Sequence, residues 1–221
     1  MKKYSGFIIL IISTFSATSQ DIIRIDNFMS GEVGELPIEW GQREKDDNVT
    51  YQLMEEDGVQ FLCAHSKRTD NFIIKKIQVD IVEYPYLNWK WKGLIFPPNG
   101  DESVKSTCDV VASMNVVLRA SRWRPKTIKY SWSTTLEEGT RTASPFAVWP
   151  SRADIVVVQS GTDEKNNWVT EKVNVLEDYL KFYELENVDS YIVEAIVIMS
   201  DSDNTSSESK ALYADIHFSK E

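Results

Sequence analysis

The sequence predicts an all-β fold of two packed antiparallel sheets. Three observations carry it: short apolar runs alternate with polar residues at a period of two, Gly, Pro, Asn and Asp punctuate those runs, and a single stretch has a helical period. Strands are expected over residues 22–28, 51–55, 59–64, 72–78, 86–91, 110–118, 127–132, 155–159, 168–173, 190–199 and 210–218. Between the second and third, Glu56, Asp57 and Gly58 form a hairpin signal, because Asp and Gly tolerate the positive φ of a tight turn. The exception to the strand pattern follows Asn174, where Leu176, Tyr179, Leu180 and Tyr183 share one helical face. Asn174 and Glu177 stand three apart, as a capping pair does, so one short helix is expected near residues 175–184. The longest loops fall at 96–106, 137–150 and 161–167.

Residues 1–19 begin with Lys2 and Lys3, continue through an apolar stretch from Phe7 to Ile12 and end on Ala17, Thr18 and Ser19. This is the layout of a secretory signal, cleaved before Gln20. The remaining 202 residues of 221, 20–221, suit a single β-sandwich domain. An exported protein, periplasmic or extracellular, is expected. No later stretch reaches the roughly 18 to 20 apolar residues of a membrane span, and no Cys near the cleavage point offers a lipid anchor.

The formal net charge is −10, and loss of Lys2 and Lys3 takes it to −12. Acidic groups are spread along the chain, which disfavours nucleic acid and anionic lipid and leaves a neutral glycan admissible as a partner. Cys63 and Cys108 are either one disulfide or two packed thiols. With only His65 and His217 beside them, no zinc ligand set has a familiar spacing.

Two constellations hold candidate chemistry. Near the last apolar run, Asp201, Asp203 and Asn204 crowd into four positions. A helix-loop-helix calcium site is excluded, since Ser206 and Leu212 stand where that loop needs Gly and Glu. Two alternatives stay open: an irregular calcium cage, or a tight turn whose Asx side chains accept backbone N–H groups. No other cofactor is called for. In "YLNWKWKG", Leu87, Trp89 and Trp91 share one strand face, either as a platform for sugar rings or as core filling, and Trp132 beside Tyr130 poses the same choice. Nucleophilic catalysis finds no GxSxG elbow. Among many carboxylates, Asp109, Glu171, Asp178 and Asp215 adjoin apolar strand or helix residues.

In order, "YPYLNWKWKG", "PPNGDES", "CDVVASMNVVL", "IKYSWSTTLEEGT", "VVVQSG", "WVTEKVNVLEDYLKFYE" and "AIVIMSDSDNTSSESKALYADIHF" make residues 80–218 resemble a secreted bacterial family, domain of unknown function 3047. The resemblance implies a jelly-roll sandwich similar to galactose-binding-like and carbohydrate-binding modules, and no activity. It implies that Trp89, Trp91, Asp101, Asp109, Trp132, Glu171, Asp178, Asp201, Asp203, Asn204 and Asp215 are pattern residues. Cys108 and Ser113 depart from it, standing where relatives show an acidic residue and an arginine. The leading expectation is a non-catalytic glycan binder in which Trp89, Trp91 and Trp132 stack on sugars while Asp109, Asp201, Asp203 and Asn204 bond hydroxyls. The rivals are a glycan hydrolase or lyase using two of Glu171, Asp178, Asp109 and Asp215, and an envelope scaffold.

Overall fold

Alternation along the apolar runs places every second side chain on the same side of its strand, and the apolar rows of two sheets face one another. The computed structural model describes residues 21–119, 126–147, 152–183 and 191–221. The expected signal, residues 1–19, lies outside the described residues, as do position 184 of the expected helix and position 190 of an expected strand. The strands are β1 (Ile22–Asp26), β2 (Gly41–Gln42), β3 (Val49–Glu56), β4 (Val59–Lys67), β5 (Phe72–Asp80), β6 (Tyr86–Ile95), β7 (Val110–Leu118), β8 (Lys126–Ser133), β9 (Arg141–Ala143), β10 (Arg152–Ser160), β11 (Val169–Asn174), β12 (Ile192–Asp201) and β13 (Glu208–Ser219), with helix α1 at Val175–Tyr183.

One sheet runs β11-β6-β13-β4-β3, with β1 also paired to β13; the other runs β2-β5-β12-β7-β8-β10-β9. The expected two-sheet sandwich is thus present, with one difference. β10 lies parallel to β8, because the chain leaving β8 first makes β9, and β10 then inserts between the two. A parallel neighbour requires such a crossover, and hairpin signals do not announce it. β2 and β9 were not expected: at two and three residues they show no period, and pairing to β5 and β10 creates them.

The helix begins as its sequence predicts. Asn174 Oδ1 accepts the Glu177 N–H at 3.0 Å, while the Glu177 carboxylate turns to Lys181 one turn on. Val175 and Tyr179 join the core, and the Tyr179 ring lies 4.4 Å from that of Tyr191.

Between the sheets lies an aromatic wedge. Trp89 and Trp91 from β6 meet edge to face at 5.2 Å; Trp91 lies 5.8 Å from Trp132 of β8; Trp89 lies 5.9 Å from Tyr130, and Phe96 closes on Trp132 at 5.7 Å. These spacings are those of favourable aromatic pairs. Trp89 is 1% exposed, Trp91 and Trp132 0%. The expectation that these three stack on sugar is therefore corrected: their faces are covered by one another, because the row Leu87, Trp89, Trp91 points inward. Cys63 and Cys108 are buried free thiols, so the disulfide alternative is absent; Cys63 packs with Phe61 and Leu212 on the opposite side of β4 from the main core.

Replacing Trp91 by Ala is expected to lower unfolding free energy by about 3–5 kcal/mol, the usual cost of emptying a large aromatic site. Urea unfolding followed by far-ultraviolet circular dichroism measures it.

Candidate functional site

The acidic residues singled out from the sequence come together at the end of β12. There the ladder to β7 slips between Met199 and Asp201, and Tyr213 of the other sheet fills the gap. Its hydroxyl accepts the Ser113 N–H at 3.0 Å and donates to the Met199 carbonyl at 3.1 Å. The turn that follows is capped by the residue that immediately precedes β7. Asp109 accepts the backbone N–H groups of Asn204 at 3.0 Å and Thr205 at 2.7 Å, and the Thr205 hydroxyl as well. The turn is thus capped chiefly by Asp109, with the Asn204 N–H also acting on the Asp203 carboxylate. The Asn204 amide donates to Asp203 at 3.0 Å, and Asp201 Oδ1 and Asn204 Oδ1 are buried without a hydrogen-bond partner. Asp201, Asp203 and Asn204 share a pocket of about 240 Å³ with Lys129, Cys108 and Phe146. Burial pushes the Asp201 carboxyl well above its ordinary range; Lys129 opposes the rise, and Asp109 and Asp203 add to it. Burial also lifts the Cys108 thiol to about 11, leaving it protonated at neutral pH.

A larger concavity lies elsewhere, over the outer face of the six-stranded sheet, with a volume of about 590 Å³. Trp168, Phe61, Val59 and Met29 give it apolar walls; Gln60, Asp57, Lys90 and Thr170 give it polar ones. The Trp168 residue is 40% exposed. Its ring meets Phe61 edge-on at 5.8 Å and carries the Lys92 ammonium at 5.5 Å, contacts that hold it in place. Gln60 Oε1 is buried without a hydrogen-bond partner. Groove and acidic pocket sit at opposite ends of β4: Val59 to Phe61 line the groove, and Ser66 at the other end bonds Ser202 at 2.9 Å. Sequence reasoning passed over Trp168. The available signal was parity, since Trp168 shares its side of the strand with the polar Thr170 and Lys172 while Val169, Glu171 and Val173 take the other.

Of the four carboxylates of the hydrolase alternative, Glu171 and Asp178 line one cleft, and Asp109 and Asp215 lie elsewhere. Asp109 is committed to backbone amides, and Asp215 pairs with Arg24 at 2.7 Å on the surface. Asp178 is held by Arg141 and by the Tyr130 hydroxyl at 3.0 Å, tying α1 to the seven-stranded sheet. Glu171 differs. It lines a cleft of about 370 Å³ between β11 and β10 together with Glu138 and Asp178, and accepts the Trp91 indole N–H at 3.1 Å. Burial raises its pKa to about 7, with Glu138 adding to the rise and the indole opposing it. A carboxyl raised in the folded state binds a proton there that the unfolded chain has lost, so stability falls as pH climbs from about 4.5 to about 7. Glu171→Gln is therefore expected to raise stability at pH 8, by on the order of 2 kcal/mol, and to change little at pH 4. Urea unfolding at both pH values checks this.

Among solved structures, the chain is similar to endoglucanase 3 from family GH12 of Trichoderma harzianum, at 7% identity over 77% of this chain and 84% of that one, with a TM-score of 0.41. It is similar to the family 30 carbohydrate-binding module of the cellulosomal cellulase Cel9D-Cel44B of Clostridium thermocellum, at 12% identity over 90% and 98%, with a TM-score of 0.44. It is similar also to the family 11 xylanase of Neocallimastix patriciarum, at 6% identity over 82% and 95%, with a TM-score of 0.40. At such values neither a ligand nor an activity carries over. No curated protein matches the chain. The family model described as "Protein of unknown function (DUF3047)" matches residues 39–217, and the chain belongs to that family, as the motifs implied.

Proposed function

We propose that this chain is an exported, non-catalytic sandwich protein that binds a neutral carbohydrate, with sugar rings seated in the groove on the outer face of the six-stranded sheet. The observation that carries the reading is an exposed indole, Trp168, standing in an open groove beside Phe61 and the unpartnered oxygen of Gln60. Pyranose rings present apolar C–H faces that stack on such an indole, and their hydroxyls supply the donor that Gln60 Oε1 lacks, donors to the Asp57 carboxylate and acceptors that Lys90 can serve. The groove volume falls within the range of about 300–1,000 Å³ usual for small-molecule sites. A net charge of −10 works against anionic polymers. Export is supported by the lysine, apolar and small-residue order of the first nineteen residues.

A hydrolytic reading has its own observation, Glu171. A general acid near neutral pH needs a carboxyl of raised pKa in a cleft, and Glu171 meets that condition at about 7, with Glu138 and Asp178 on the same walls. Release of reducing ends from soluble glucans or xylans, lost in Glu171→Gln, decides for this reading over the first.

Calorimetric titration of the purified protein with a panel of soluble neutral polysaccharides tests the binding reading. Saturable binding is expected to at least one. Trp168→Ala is expected to weaken that binding by at least about tenfold, a loss of 1.4 kcal/mol or more, while the thermal midpoint stays near that of the parent. Unchanged affinity in Trp168→Ala would remove the groove from consideration.

A further inference from the structure

We propose that Asp109, Asp201, Asp203 and Asn204 form a binding site for a hard divalent cation, calcium by size and donor chemistry, at the end of β12. Side-chain oxygens of the three carboxylates, one from each, all lie within 4.8 Å of one another. A calcium ion bonds oxygen at about 2.3–2.6 Å, so two oxygens on one ion stand at most about 5.2 Å apart, and each pair of these carboxylate oxygens meets that limit. Calcium accepts an irregular cage of carboxylate and amide oxygens, whereas magnesium demands a near-regular octahedron.

The cluster alone would not make a site; its unsatisfied atoms do. Asp201 is 6% exposed, and its Oδ1 has no hydrogen-bond donor. The Asn204 Oδ1 is a second buried acceptor without a donor, and both residues line the same small pocket as Asp203. Among the described residues, none of the three carboxylates forms an ion pair. The Lys129 ammonium from β8 acts on Asp201, but it also acts on the buried Glu102; Asp70 on the rim is already paired with Arg43 at 2.7 Å. One ammonium is therefore shared between the buried Asp201 and Glu102, with Asp109 and Asp203 close to Asp201, an arrangement that favours bound protons or a bound cation.

The geometry favours the cation because the frame is already fixed. Asp109 is locked by two backbone N–H groups and a hydroxyl, Asp203 is steadied by the Asn204 amide, and the slip that aims Asp201 is pinned by Tyr213. Oxygens held apart by the fold lose little entropy when an ion arrives.

The test uses the purified protein freed of metal with a chelator, titrated calorimetrically with calcium chloride or magnesium chloride and followed in parallel by thermal melts. Saturable binding of about one calcium per chain is expected, with a melting temperature that rises with calcium concentration as mass action requires, and a weaker response to magnesium. Asp203→Asn, at a half-buried position, is expected to weaken calcium binding by at least about tenfold through the lost ligand charge while the metal-free melt stays the same. Asp201→Asn is expected to do the same and to melt no lower than the parent without metal, since it removes a buried charge. If Asp201→Asn fails to fold, Asp203→Asn carries the test alone. Absence of any calcium response, or calcium affinity unchanged in Asp203→Asn, overturns the proposal; a melt that depends on pH and ignores calcium would identify shared protons instead.

Discussion

Trp89, Trp91, Trp132, Tyr130 and Phe96 fill the space between the two sheets, and the positions of the surrounding elements follow from that wedge. Rings of this size keep facing sheets near the separation of about 10 Å usual for sandwiches. Two of the three indole N–H groups have partners, and among the described residues that of Trp89 has none. Trp91 finds one in Glu171, which keeps a carboxyl at the mouth of the cleft, and Trp132 finds one in the Gly161 carbonyl at 3.0 Å, in the loop that precedes β11. Tyr213, 6.4 Å from Trp91, extends the wedge to the far sheet and sets the slip from which Asp201 emerges. Core packing and the chemistry at the rim are thus linked through hydrogen bonds at the ends of aromatic side chains.

The two candidate sites use different physics and lie far apart along β4. In the groove, exposed apolar area and unpartnered polar atoms suit a neutral ligand with both kinds of surface. In the pocket, buried carboxylates held close by backbone amides suit a small, highly charged one. Neither relies on the other, and an ion bound near Asp201 would stabilise the turn after β12 without touching Trp168.

Much of the fold was legible because strands of five or more residues carry their period with them. β7 runs from Val110 to Leu118 as expected, and Asn174 starts α1 where the capping pair placed it. β2, β9 and the parallel pairing of β10 with β8 were not legible, since they arise from contacts distant in sequence. The sites were less legible. Alternation says which residues share a side of a strand and leaves open which side is buried: Trp89 and Trp91 share a row, and only the second sheet shows that the row faces inward. The same parity, applied to Trp168 among Thr170 and Lys172, would have pointed to the exposed indole. The gathering of Asp109 with Asp201 and Asp203 depends on the neighbouring positions of β7 and β12, which no spacing in the chain encodes.

The most direct measurement is the set of indole N–H resonances in a two-dimensional nitrogen–proton spectrum, recorded as a binding polysaccharide fragment is added. The account predicts that the Trp168 indole shifts progressively to saturation while those of Trp89, Trp91 and Trp132 stay in place, because their faces are already taken. Shifts at the three core indoles with Trp168 unmoved would contradict it.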